Sequence, residues 1–234
     1  MIKETQVKLF LVIFFFIFSF AISSFAQTPQ KKFIVEECKH STLALKGEFS
    51  CKKEIPLEFE SACLLALSYY PELKEEKISF VYTKGAYSMA ARPDPLSLLF
   101  KSQNDRQYYV YINTESKNKG LLLGDVPYNA QVGIVGHELA HILYYTKTSS
   151  WRIILDGILY AFESFRSKFE QDTDKVAIDR GLGWQIYDFC SHTHKDRRVP
   201  EIYKEYKRKV YMTPESIIDY IRNQPRSVLD HNHN

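Results

Sequence analysis

"VGIVGHELAHILYY", residues 132–145, sets two histidines and a glutamate into an otherwise apolar run. Histidines four apart on a helix project the same way, one turn above the other, so His137 and His141 can reach a single cation. Glu138 lies one step round the helix, where it can reach a water held by that cation and act as general base. Three ionisable groups within five residues are costly to bury in an apolar helix without a metal or partners. The stretch therefore predicts a buried helix at a metal centre, and the rest of the chain has to complete the ligand set.

A catalytic zinc takes three protein ligands and keeps one position for water. Downstream, "FEQDTDKVAIDRGLG" (169–183) presents Glu170, Asp174 and Ala177 at i, i+4 and i+7, on one face of a second helix. Glu170 can ligate directly. Asp174, one turn along, can accept a hydrogen bond from a ligand histidine and fix its tautomer. Ala177 keeps that face thin enough for the two helices to approach.

"HELAH" (137–141) followed by "EQDTDKVA" (170–177) resembles the HExxH … ExxxDxxA signature of the gluzincin zinc metallopeptidases. Gly136 and the apolar residues before the first histidine are similar to the same clan, and the likeness covers roughly residues 106–185. It looks closest to small, exported, single-domain members. The resemblance implies one Zn2+ per chain on His137, His141 and Glu170, with Glu138 as the base and Asp174 holding a ligand histidine. It also implies a small zincin-like α+β domain. There a three- to five-stranded mixed or antiparallel sheet packs on the HExxH helix and a second ExxxD helix. Such enzymes present an edge strand to which a peptide adds, and "QYYVYIN" (107–113) stands in the right order for it. They also carry a distant His or Tyr that stabilises the oxyanion. Tyr187, His192, His194 and Tyr203 are the candidates, with His192 and Tyr187 singled out.

Around these motifs, "LEFESACLLALSYYPEL" (57–73) reads as a buried helix stopped near Pro71, and "KISFVYT" (77–83) and "RQYYVYIN" (106–113) read as strands. "MAARPDPLSLLF" (89–100), with two prolines, reads as a loop. The motif helix begins near Asn129 as N-cap. A long helical segment runs from Ser150 to Arg180, broken near Gly157 and closed by "GLG", and "WQIYDFC" (184–190) continues as a shorter helix. Thr213-Pro214-Glu215 opens a last amphipathic helix. "WRIILDGILYAF" (151–162) suits either a helix covering the core or cleft, or contact with a membrane surface.

The chain of 234 residues begins with Lys3 and Lys8, then an apolar run from Leu9 to Ala26. This order predicts a signal peptide over residues 1–26, or alternatively an uncleaved anchor. In either case the remainder, a single domain over 27–234, is exported: periplasmic, envelope-associated or extracellular. Four cysteines, Cys38, Cys51, Cys63 and Cys190, then allow two disulfides in three pairings. The net charge of +3 is small and its basic residues are dispersed, which excludes a nucleic-acid partner. The expected function is zinc-dependent hydrolysis of peptide bonds, as an endopeptidase in preference to an exopeptidase, on a peptide or protein substrate. Two alternatives use the same residues: a zinc-stabilised, non-catalytic peptide-binding or envelope-organising protein, and a zinc hydrolase of a non-peptide bond.

Overall fold

A computed structural model describes residues 32–85, 87–115 and 120–224; the leader predicted over 1–26 lies outside them. The fold is mixed α+β. Its sheet contains β1 (Lys53–Glu54), β2 (Lys77–Thr83), β3 (Met89–Pro93) and β4 (Gln107–Asn113), in the order β1-β2-β4-β3. β2 runs parallel to β1 and β4, whereas β3 is antiparallel to β4. Tyr108, Val110 and Ile112 alternate inward along β4, as aromatic and branched residues do on a half-buried strand.

Two expectations are corrected here. β4 is an interior strand, paired on both sides, and the edge strand beside it is β3, with β1 at the opposite edge. The stretch expected to be a loop forms β3 and then a short helix, α3 (Pro95–Phe100). Its prolines mark boundaries. Pro93 ends an edge strand, where a missing N–H is tolerated, and Pro95 occupies the first turn of α3. Asp94 caps that helix by accepting from the Ser97 N–H at 2.7 Å.

The helices preceding and following the sheet complete the layers: α1 (Val35–Phe49), α2 (Glu60–Ser68), α4 (Tyr128–Lys147), α5 (Ser150–Leu159), α6 (Glu163–Ala177), α7 (Gly183–Lys195), α8 (Glu201–Val210) and α9 (Pro214–Asn223). α1 and α8 had no counterpart in the sequence reading. α4 carries the HELAH motif and is buried along most of its length, packed against α2, β3, α6 and α7. At Gly133 the backbones of α4 and α7 touch, since a Cβ there would overlap the main-chain carbonyl of Gln185. Buried Tyr70 donates to the Gly136 carbonyl at 2.6 Å. Arg106, also buried, donates to the carbonyls of Tyr145 (2.9 Å) and Thr148 (2.8 Å), satisfying the free end of α4.

Asn129 is not the N-cap. Its side chain accepts from the Phe33 N–H (2.8 Å) and donates to the Phe33 carbonyl (3.0 Å), tying the start of the described chain to α4. The break in the 150–180 segment falls at Tyr160–Phe162, not at Gly157, which lies within α5. Beyond α6 a wide turn, Ile178–Leu182, closes on Gly181 at φ 94°, a left-handed conformation that favours glycine. The Thr213 side chain caps α9 by accepting from the Ser216 N–H, as the sequence indicates.

All four cysteines are free thiols, so the expected disulfides do not form. Cys63 and Cys38 are packed in the main core, Cys51 is exposed, and Cys190 is half-buried with Sγ 3.4 Å from the Met212 carbonyl. Among the described residues no helix is long and apolar enough to cross a membrane.

Candidate metal centre

Helical spacing on α4 brings the His137 and His141 rings edge to face with centroids 4.8 Å apart, and their Nε2 atoms approach to 3.1 Å. Glu170, from the middle of α6, brings Oε2 to 3.0 Å from His137 Nε2 and 3.3 Å from His141 Nε2. All three side chains are buried, and their potential ligand atoms lie within 4.8 Å of one another. This cluster can hold a metal ion.

The surrounding contacts fix how each ligand presents itself. His137 Nδ1 donates to Asp174 Oδ1 at 2.8 Å, while Asp174 Oδ2 accepts the Met212 N–H at 3.0 Å. With its proton committed to Nδ1, neutral His137 keeps a bare lone pair on Nε2. His141 Nδ1 lies 3.4 Å from Thr173 Oγ1, whose hydroxyl donates to the Phe169 carbonyl at 2.8 Å and so leaves Oγ1 to accept. The His141 ring stacks on Phe169 with centroids 5.4 Å apart. The Tyr160 hydroxyl donates to Oε1 of Glu170. With His137 neutral, three lone-pair atoms converge with no hydrogen among them, which fits a cation.

Electrostatics without a cation show the same frustration. Burial opposes charge on His137, but hydrogen bonds and charge from Asp174 and Glu170 outweigh it and push the imidazole up to about 10. Burial works against the charged form of Glu170 as well, yet His141 and His137 hold it well below the usual carboxylate range. Glu138 is pushed upward by burial, against the pull of both histidines.

The cluster opens into a cavity of about 650 Å³ that Glu138 also lines. One wall is β3 itself, Met89–Pro93; another comes from α5 through Ile153, Asp156 and Gly157. The face of α5 carrying Ile153 and Asp156 therefore borders the cleft, while Trp151 and Ile158 point outward, 75% and 62% exposed.

The structure brings His137, Glu138, His141, Glu170 and Asp174 together, and it does not bring His192 or Tyr187 to them. His192 sits on the exposed side of α7 with Nδ1 at 2.8 Å from the Asp188 carbonyl. Tyr187 packs in a separate core with Ile186 and Met212 and meets Trp184 edge-on. His194 and Tyr203 do line the cavity. So do Tyr160, Tyr206, Lys207, Tyr211 and Arg92, which sequence reasoning missed. They come from the α5–α6 break, from α8 and its end, and from β3, so no short spacing links them to the motif. Comparison with protein-family models, curated proteins and solved structures finds no match for this chain.

Proposed function

We propose that the chain is a zinc-dependent peptidase of the gluzincin type that the sequence resembles, acting outside the cytoplasm. One observation carries the reading: His137, His141 and Glu170 converge in a buried cluster on the wall of a cavity that Glu138 shares. Two imidazoles and a carboxylate form a donor set that suits zinc and leaves a position for water. When bound, zinc supplies Lewis acidity and makes water in the cavity more acidic.

The chain's own residues account for the remaining steps. Glu138 takes a proton from the attacking water on its carboxylate and passes it to the departing amine nitrogen. Burial raises its carboxyl, which is the direction a general base needs near neutral pH. β3 offers the unpaired backbone edge of the sheet along the cavity wall, where an extended peptide can add as a further strand. Tyr206 and Tyr211 are held protonated, mainly by burial and also by the charge of Glu170. Their hydroxyls can donate to the substrate carbonyl oxygen as negative charge builds there. Export rests on the apolar run Leu9–Ala26 in the sequence.

A non-catalytic zinc clip has no use for a buried glutamate beside its histidines, and burying that carboxyl costs stability. Metal content by mass spectrometry and hydrolysis of a mixed peptide library, on wild type beside Glu138→Gln, separate the readings. About one zinc per chain in both is expected, with hydrolysis falling roughly 10²–10⁴-fold in the variant. Equal hydrolysis in both proteins, or no zinc in either, ends the peptidase reading.

A further inference from the structure

The acidic groups on the cavity wall are accounted for, and its basic groups are not. Glu170 and Asp174 face His137, and Asp156 is engaged by Arg152 at 2.9 Å and by the Tyr144 hydroxyl. Glu138 belongs to the reaction proposed above. Lys207, on α8, is half-buried and points its Nζ over the Tyr211 ring, 3.5 Å from the centroid, with the Tyr203 ring centroid at 5.8 Å. Among the described residues no carboxylate comes within ion-pair distance of it. Its neighbour Arg208, by contrast, pairs with Glu201 on the surface. Arg92, on the edge strand β3, also lines the cavity but is exposed, and it has no ion pair among the described residues.

A half-buried ammonium over aromatic faces is held by their quadrupoles and keeps donors free to meet a ligand. Burial works against the charge on Lys207, yet Tyr203, Glu170 and Asp174 restore it and hold the group above the usual lysine range. The cation therefore persists in the cleft at neutral pH. Its natural complement is an anion brought by the ligand.

We propose that Lys207 is a carboxylate-binding residue of the cleft, so that this protein selects peptides presenting a carboxylate, either an Asp or Glu side chain or the C-terminal group. This rests on the peptidase reading for its substrate class, but not for its test. Peptide bound along β3 would occupy the cavity that Lys207 lines, with the exposed Arg92 on the strand itself adding a weaker, solvent-screened preference for negative charge.

Binding is measured by calorimetry on the metal-free protein, where a carboxylate has no metal ion to ligate and catalysis plays no part. The probes are acetyl-Ala-Glu-Ala amide against its Gln counterpart, and acetyl-Ala-Ala-Ala with a free C-terminus against its amide. At least one acid is expected to bind about tenfold or more tighter than its neutral partner. Lys207→Met should remove most of that difference and Lys207→Arg should keep most of it. Which pair discriminates identifies the source of the carboxylate. Equal binding of acid and neutral peptide in both pairs to wild type overturns the proposal, as does a preference undiminished in Lys207→Met. Should Lys207→Met fail to fold, the wild-type comparison and Lys207→Arg still decide.

Discussion

The Tyr160 hydroxyl donates to Oε1 of Glu170 while Oε2 of the same carboxylate faces Nε2 of both histidines. The two oxygens are thus divided between a hydrogen bond and the candidate metal site. Tyr160 stands in the break between α5 and α6, its ring edge-on to Phe169 at 6.1 Å and covered by the Arg166 guanidinium at 5.8 Å. Tyr160→Phe keeps that packing and removes only the donor. Zinc affinity, read by competition with a chromogenic chelator, is expected to fall about 10–100-fold with the thermal midpoint nearly unchanged. Undiminished affinity would mean that the α6 backbone alone positions Glu170.

Without a metal the cluster favours a proton on His137, which a bound metal would displace. His137 rises from an ordinary 6.5 to about 10 in the folded, metal-free state. A folded value above the unfolded one stabilises fully below about pH 6.5, and that stability is lost as pH climbs through about 10. Glu170 shifts the other way, so its contribution is present above the ordinary carboxylate range and is lost as pH falls through its depressed folded value. Metal-free protein should therefore be most stable in mildly acidic solution and weaken steadily toward alkaline pH. Ligation needs a neutral imidazole, so zinc uptake at pH 7 should release about one proton from His137. Titration calorimetry in two buffers of different ionisation heat measures that number. No proton release would show that His137 is already neutral.

What the sequence made legible was local, and what it hid was not. HELAH and EQDTDKVA could be placed because helical periodicity assigns faces within a few residues, and β2 matches its expected limits at Lys77–Thr83. That β4 is interior and β3 the edge is decided by pairings between distant segments. Pro93 and Pro95 read as breakers although an edge strand and a helix first turn both accept them. Gly157 reads as the break, but the chain turns immediately after α5 ends, at Tyr160, which reaches back to Glu170. His192 and Tyr187 were chosen for their chemistry. The orientation of α7 sends the first to solvent and the second to another core.

Two glycines of similar appearance should respond oppositely to alanine. At Gly133 the added methyl meets the Gln185 main chain, which cannot swing aside, so α4 and α7 must separate. Gly133→Ala is expected to cost about 1–3 kcal/mol or more, lowering the thermal midpoint by several degrees and loosening metal binding with it. At Gly157, inside α5, nothing lies within 4 Å of the new Cβ. Gly157→Ala should stabilise by about 0.5–1 kcal/mol through helix propensity. Denaturant melts of both variants test this. Equal effects would place the α4–α7 contact elsewhere.

The cysteines offer a test of the fold that is independent of the metal. Cys63 has no exposed surface, and burial pushes its thiol far up. Burial raises Cys38 and Cys190 too, whereas Cys51 is open to solvent at the end of α1. Only thiolate reacts quickly with a disulfide reagent. Native protein prepared without reductant should therefore show one fast-reacting thiol, at Cys51, and all four after denaturation. Cys51→Ser should remove the fast phase alone. Only two thiols, or none, in the denatured protein would mean that oxidation has drawn these residues together, and the packing of Cys38 and Cys63 in the core would have to be redrawn.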